Sequence, residues 1–349
     1  MWFLVLSTLT PTHITVFYVR SSLLLFCLSP SLALLLAHAE VVRSGDARIS
    51  MIGFPSVGKS TMLSTLTDTQ SRAAAHAFTT LTCIPGVLKY NDATLQLLDL
   101  PGIIEGASGG KGRGRQVIAV ARSSDLILMV LDAARANVER RLLTKELYNV
   151  GIRLNSKRPN ISIKPRKFGG VSVNALVPLT HLDKNLVRDI LGMHKIRSAD
   201  VIFREDSTVD EFIDVVLANR RYLPCLYVVN KIDTISLNDV DTFAHRKHTT
   251  VISCHQKLNL DYMLYQLWEH LGFIRLFTKP RGRRPDFSDP IIMPRNATVE
   301  NICERIHKSF VTKFKYALVW GTSVKHQPQH CGIKHVLHDE DVVAIHTYK

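Results

Sequence analysis

The feature that most constrains this chain is the loop "GFPSVGKST" at residues 53–61, which directly follows the apolar run "ARISMI" at residues 47–52. This loop matches the pattern of a phosphate-binding loop between a buried strand and a helix. Its backbone amides can point inward at a phosphate, and the next helix N-terminus adds partial positive charge. We therefore predict contacts to nucleotide phosphates from Gly53, Pro55, Ser56, Val57, Gly58, Lys59, Ser60 and Thr61.

Two side chains of the loop have more specific predicted roles. Lys59 is expected to reach the β- and γ-phosphates as a catalytic residue, and the Ser60 hydroxyl is expected to bind Mg²⁺. The next apolar run, "TLQLLDL" at residues 94–100, leads into a second motif that begins at Asp99. This aspartate is predicted to hold the same Mg²⁺ through water.

The segments beside the phosphates are predicted to respond to hydrolysis. The Gly102 amide is expected to contact the γ-phosphate and is therefore assigned to the catalytic residues. Thr80 lies between the two motifs and is also assigned to the catalytic residues; it is predicted to close on Mg²⁺ when the γ-phosphate is present, with Thr79 as the neighbouring alternative. Glutamine occupies the position after the glycine in Ras-type enzymes, whereas this chain has Ile103, so slow intrinsic hydrolysis is expected.

A further motif, "NKID" at residues 230–233, follows the apolar run "CLYVVN". The Asp233 carboxylate can accept paired N–H groups from guanine, which adenine does not supply, so the motif favours GTP over ATP. Asn230 is expected to brace the site and Lys231 to lie along the base. A backbone amide after the following run is expected to meet the guanine oxygen, in the segment Ser253, Cys254 and His255.

Short runs rich in Val, Ile and Leu alternate with helical stretches, a pattern that predicts an α/β doubly wound sheet. About 70 residues are surplus between the runs that start at Leu126 and Cys225, because a strand–helix–strand unit needs only roughly 30. We predict a small inserted α/β domain at about 152–222. The proline-rich and basic stretch at 277–290 reads as a linker into a C-terminal β-grasp-like module.

Net charge and cysteine content indicate which partners and which cellular compartment fit this protein. The formal net charge of +14 favours polyanions, namely RNA, ribosomes, DNA or an anionic membrane, over a surface that is merely basic. Six scattered cysteines exclude a disulfide framework and fit a reducing compartment.

Residues 1–45 differ from the rest of the chain and are apolar. The part at 21–37 is marginal in length for a membrane span and is interrupted by Pro30. Two interpretations stay open: the segment retargets the protein, or it belongs to a start that cells do not normally make.

The motifs together resemble the Obg-related GTPases, and among them the developmentally regulated GTP-binding proteins. Six stretches carry this resemblance: "GFPSVGKST", "FTTLTCIPG", "LLDLPGIIEGA", "GKGRGRQVIAVAR", "NKID" and "FKYALVWG". The resemblance implies a P-loop GTPase domain at 46–274 with the inserted domain, followed by a TGS domain of β-grasp type at 275–349. It covers roughly residues 44–349.

The resemblance also implies GTP and GDP as substrate and product, Mg²⁺ as cofactor and potassium as a stimulating cation. It implies a cytoplasmic protein that works on translating ribosomes with an RWD-domain regulatory partner; no DNA partner is expected, and a membrane partner only if residues 21–37 are an anchor. Arg113 and Arg115 are candidates for transition-state charge or for contacts to RNA or a partner. Two alternatives stay open: a ribosome- or RNA-binding scaffold with a structural nucleotide site, and a membrane-tethered GTPase.

Overall fold

A computed structural model describes residues 43–67, 84–100, 114–280 and 282–348. Several predictions lie outside these residues: the apolar segment up to residue 42, and the roles of Thr79, Thr80, Gly102, Ile103 and Arg113. Within the described ranges, no helix combines the length and the apolar character needed to cross a membrane.

The first part of the described chain supplies four strands of the main sheet. Its elements are β1 (Ala47–Ile52), α1 (Lys59–Leu66), β2 (Ile84–Tyr90), β3 (Ala93–Asp99), α2 (Gly114–Arg122), β4 (Leu126–Asp132) and α3 (Ala136–Asn149). Every residue of β1 and β4 is buried, as expected for strands covered on both faces.

A separate small α/β unit follows α3, as the surplus length predicts. It consists of β5 (Ile152–Leu154), β6 (Ile161–Pro165), β7 (Val171–Ala175), α4 (Lys184–Met193), β8 (Ala199–Phe203), α5 (Val209–Leu217) and β9 (Arg221–Leu223). Three of its strands form a sheet in the order β6-β8-β7, and β5 pairs in parallel with β9. This unit has its own core, in which Val187, Phe203 and Phe212 are fully buried.

The chain then returns to the main sheet through β10 (Cys225–Asn230), α6 (Leu237–Ala244), β11 (Thr249–Val251) and α7 (Leu260–Leu271). The six strands lie in the order β11-β10-β4-β1-β3-β2. All neighbours are parallel except β2, which pairs antiparallel with β3 at the edge. The doubly wound α/β sheet is therefore confirmed, and the carboxyl ends of β1, β3, β4 and β10 share one edge, where such sheets bind ligands.

The C-terminal part forms a second mixed sheet with two helices. Its elements are β12 (Phe273–Thr278), β13 (Asp286–Pro294), α8 (Val299–Ile306), α9 (Lys308–Thr312), β14 (Phe314–Trp320), β15 (Gln329–Cys331) and β16 (Val342–Thr347). The strand order is β13-β12-β16-β14-β15. A capping box between Thr298 and Asn301 begins α8.

The interpretation of residues 277–290 as a linker is wrong. β12 extends to Thr278, and β13 starts at Asp286 and pairs antiparallel with it, so only the residues between them connect the two strands. Pro290 is tolerated because β13 is an edge strand. The composition therefore marked a hairpin loop inside the second sheet rather than a link between domains.

Candidate nucleotide-binding site

Two glycines of the loop after β1 lie where a side chain does not fit. A Cβ at Gly53 would come 2.3 Å from the Val130 carbonyl oxygen on β4, and one at Gly58 would come 2.4 Å from the Asn230 amide nitrogen. Gly58 also has φ +97°, in the left-handed region that favours glycine. The loop is therefore pressed against the ends of β4 and β10, with Pro55 and Ser56 exposed and Val57 buried.

Lys59 opens α1 and is 8% exposed. Its Nζ donates hydrogen bonds of 2.9 Å to the carbonyl oxygens of Gly53 and Phe54, so the side chain folds back over the loop. Burial lowers the pKa of the Lys59 ammonium, and the nearby carboxylates of Asp99 and Glu139 offset this only in part. The loop thus holds a desolvated cation at the place where phosphates are predicted.

Ser60 and Asp99 meet beside Lys59, and Thr61 follows on the exposed side of α1. The Ser60 Oγ donates a hydrogen bond of 2.9 Å to Asp99 Oδ2. The other carboxylate oxygen, Asp99 Oδ1, is buried and has no hydrogen-bond partner among the described residues. A buried unpaired carboxylate oxygen is costly, and hydroxyl and carboxylate oxygens are the ligands that Mg²⁺ prefers. The residues present therefore fit Mg²⁺, as the sequence predicts.

The Asn230 side chain joins the loop after β1 to the ends of β10 and β11. It is 2% exposed. Its Nδ2 donates to the Val57 carbonyl oxygen at 2.8 Å, and its Oδ1 accepts from the backbone N–H groups of Lys231 and Cys254 at 2.8 and 3.0 Å. One amide therefore fixes the phosphate loop relative to both segments that are predicted to hold the base.

Lys231 is held by a residue that the sequence reasoning missed. Its Nζ lies 2.8 Å from Asp132 Oδ2, and its backbone has φ +65°. Burial alone would raise the pKa of Asp132, but the hydrogen bond and charge of Lys231, together with the Ala134 N–H, lower it below its usual range. No local sequence pattern marks this pair, because it forms only where Asp132 at the end of β4 lies opposite Asn230 on β10.

Asp233 is exposed and lies in the short 3₁₀ turn after β10. Its Oδ1 accepts a hydrogen bond of 2.6 Å from the Ser253 hydroxyl, which is fully buried. This hydrogen bond is the main cause of the lowered pKa of Asp233, so the carboxylate stays ionised. An ionised acceptor aimed at solvent is the group needed to receive the N–H pair of guanine.

The segment after β11 contributes backbone rather than reactive side chains. Burial raises the pKa of the Cys254 thiol to about 11, so the thiol is inert while its N–H is tied to Asn230. His255 is exposed beside it. The structure thus brings the described members of the predicted site to one edge of the sheet; their contacts to a nucleotide stay predictions.

We expect Lys59→Met to have two measurable effects, one on the pH dependence of folding stability and one on nucleotide affinity. A lowered folded-state pKa means that folding disfavours the charged amine, so the free energy of unfolding should rise as pH increases through the folded-state pKa towards 10.5. The variant should lose this rise and bind nucleotide about 100-fold more weakly, the loss expected for charge-assisted phosphate contacts. Urea unfolding at neutral and alkaline pH measures the first effect. The exposed Lys184→Met should behave like the wild type; an unchanged pH dependence in Lys59→Met would contradict the assignment.

Family models cover most of the described chain. A model described as "50S ribosome-binding GTPase" matches residues 48–164, one described as the C-terminal region of that domain matches 168–273, and a TGS domain model matches 274–347. The P-loop GTPase fold and the C-terminal TGS domain expected from the motifs are therefore confirmed.

Curated relatives match along most of their length. Developmentally-regulated GTP-binding protein 2 of Homo sapiens is 59% identical over 306 residues, which are 88% of this chain and 84% of the relative. Developmentally-regulated G-protein 2 of Arabidopsis thaliana is 56% identical over 309 residues, covering 88% and 77%. GTP-binding protein 1 of Schizosaccharomyces pombe is 52% identical over 308 residues, covering 88% and 85%.

Among solved structures, the Schizosaccharomyces pombe YchF GTPase covers 87% of this chain and 99% of its own, with 13% identity and a TM-score of 0.46. A structural likeness this low does not assign a family, whereas the sequence identities of the curated relatives do. On those identities the chain belongs to the developmentally regulated GTP-binding proteins, a family of Obg-type P-loop GTPases with a TGS domain.

Proposed function

We propose that the protein hydrolyses GTP slowly to GDP and phosphate and acts as a molecular switch on translating ribosomes. The observation that carries the proposal is the Asn230 amide, which bonds the phosphate loop and the guanine-side backbone at the same time. A nucleotide with phosphates and a guanine is the ligand whose two ends match these two segments.

The described residues divide the work of holding and orienting the substrate. Lys59 supplies a positive charge to the phosphates, and Ser60 and Asp99 would hold Mg²⁺. The Mg²⁺, when bound, neutralises charge that develops on the phosphate oxygens. Thr80 and Gly102 complete the γ-phosphate side in this proposal. With Ile103 in place of a glutamine, the attacking water lacks a side chain to orient it, so hydrolysis should be slow without a partner or a cation such as potassium.

The same proposal extends to partners and location. A net charge of +14 and a matching family model described as a "50S ribosome-binding GTPase" support RNA within ribosomes as the polyanionic partner. We include in the proposal a cytoplasmic location and regulation by an RWD-domain protein. Ribosome-dependent stimulation of GTP hydrolysis in the purified system separates this switch from a scaffold with a structural nucleotide site.

The substitution Asp233→Asn tests the assignment of the base. Asparagine offers one acceptor and one donor, whereas guanine presents two donors there; xanthine, which carries a carbonyl in place of the amino group, matches asparagine. We expect GDP affinity to fall about 100-fold and the diphosphate of xanthosine to become the preferred ligand.

Equilibrium competition against a fluorescent nucleotide measures both affinities. Asp241→Asn, an exposed aspartate on α6, is the matched control and should keep the preference for guanine. If Asp233→Asn keeps its fold and loses affinity for both nucleotides equally, Asp233 does not contact the base.

A further inference from the structure

The sheet of the TGS domain has one face covered by helices and one face that carries rings. On the covered face, Ala317, Val319 and Val343 pack against residues of α8. Because side chains alternate along a strand, Tyr316 and Trp320 point to the opposite face. The residues of that face belong to none of the hydrophobic clusters of the described chain: Tyr316, Leu318, Trp320 and Val342.

Three rings stand in a row across the strands β16, β14 and β15. Tyr316 lies opposite His346 in the register, and their rings are stacked with centroids 4.6 Å apart and an interplanar angle of 18°. On the other side, the ring of His330 is 4.6 Å from that of Tyr316, at 54°. His330 is exposed, so the row ends in an imidazole that meets solvent. We call Tyr316, Trp320, His330 and His346 the ring face.

Two lysines flank the ring face. Lys315 Nζ lies 5.9 Å from the centroid of Tyr316 and 5.5 Å from that of Tyr348, and Lys279 Nζ lies 5.5 Å from that of Trp320. In the described part of the chain neither lysine forms an ion pair with a carboxylate. Two acidic side chains at the end of this sheet, Asp339 and Glu340, share Arg275 as their ion-pair partner, which balances one of their two charges.

We propose that the ring face binds single-stranded RNA. Bases would stack on the rings of His330 and Trp320, and phosphates would meet Lys279 and Lys315; flat rings interleaved with cations on an open sheet are the arrangement that holds unpaired nucleotides. A duplex buries its bases within its own stack, so it would use the lysines alone. The proposal rests on the proposed function in taking RNA as the polyanionic partner, and it adds the surface and the form of the RNA.

The test uses the full chain with GDP and a labelled single-stranded oligo(U), with a duplex of the same length as competitor. His330→Ala and Trp320→Leu should each weaken binding to the single strand about tenfold, the loss typical of one stacked base. His330→Phe keeps a flat ring and should restore the affinity. The duplex should compete poorly and lose little affinity in either ring variant.

Tryptophan fluorescence gives a second, direct readout. In a chain that carries Trp2→Phe, base stacking on Trp320 should quench its emission, whereas Trp268 is buried and should not respond. Trp320→Phe should therefore abolish the quench and keep most of the affinity. Lys279→Gln should lower the slope of log affinity against log salt by about 0.7, the value for one phosphate contact to a single strand.

The control is Tyr265→Ala, which removes an exposed ring from α7 and should leave RNA binding unchanged. The proposal is overturned if His330→Ala and Trp320→Leu bind the single strand as wild type does, if duplex binds as well as the single strand, or if an acidic polypeptide displaces the RNA equally well. GDP affinity, measured on the same variants, keeps the two proposals apart. If the ring variants bind RNA as the wild type does while GDP binding is normal, only the ring-face proposal fails. If GDP does not bind while the ring variants still weaken RNA binding, only the nucleotide-site proposal fails.

Discussion

Replacement of Asn230 by alanine is expected to lower the free energy of unfolding by about 3–5 kcal/mol and to abolish tight nucleotide binding. The amide is 2% exposed and serves three backbone groups: the Val57 carbonyl and the N–H groups of Lys231 and Cys254. Alanine leaves all three without this partner, and each buried unsatisfied group costs about 1–3 kcal/mol. The phosphate loop would then lose its tie to the guanine side.

A second variant separates the loss of the Asn230 hydrogen bonds from the loss of side-chain volume. Asn230→Asp keeps the acceptor for Lys231 and Cys254, but it has no donor for the Val57 carbonyl and places two oxygens against each other. We expect this nearly isosteric change to lose nucleotide binding as well. Urea unfolding and GDP titration measure both effects, and the exposed Asn238→Ala on α6 is the control. Wild-type GDP affinity in Asn230→Asp would contradict the bridging role.

Asp214→Ala should be similarly destabilising, for an electrostatic reason. The carboxylate accepts from Arg153 at 2.6 and 2.8 Å and from Arg220 at 2.9 Å, in a triad that joins β5 at the base of the inserted unit to α5. Arg153 and Asp214 are 8% and 6% exposed. Removal of the carboxylate leaves two guanidinium groups without their counter-ion. Breaking such a buried ion pair costs about 3–5 kcal/mol.

The control for this prediction lies on the same helix. Asp210→Ala removes an exposed carboxylate from the first turn of α5 and should cost under about 1 kcal/mol through the helix dipole. The double change Arg153→Met with Asp214→Leu, which removes both buried charges, should recover much of the loss. Chemical unfolding of the four proteins is the measurement. If Asp214→Ala unfolds at the same denaturant concentration as Asp210→Ala, the triad does not contribute to the free energy of unfolding.

The parts of the fold that the sequence predicts best are the buried ones. The apolar runs at Ala47–Ile52, Leu126–Asp132 and Cys225–Asn230 coincide with strands, and the periodic stretch Leu260–Leu271 coincides with α7. In each case burial on both faces, or one apolar stripe, determines the pattern directly. The phosphate loop was equally clear because Gly53 and Gly58 are required by close contacts to the Val130 carbonyl oxygen and to the Asn230 side-chain amide.

Edge strands and long-range pairings were not predictable in this way. β2 carries the sequence "IPGVLKY" and lies at an edge, where proline, glycine and lysine are tolerated. The order β6-β8-β7 depends on β8 inserting between two strands that precede it, which no local pattern encodes. In the site, bracing by Asn230 was expected, but its three partners and the Asp132–Lys231 pair depend on strand register.

The most direct measurement of the central claim is equilibrium binding of labelled GDP and GTP to the purified chain with Mg²⁺. We predict saturable binding at one site per chain, displaced by unlabelled guanine nucleotides and not by ATP, and weakened when Mg²⁺ is removed. The absence of saturable binding by folded protein would contradict the account.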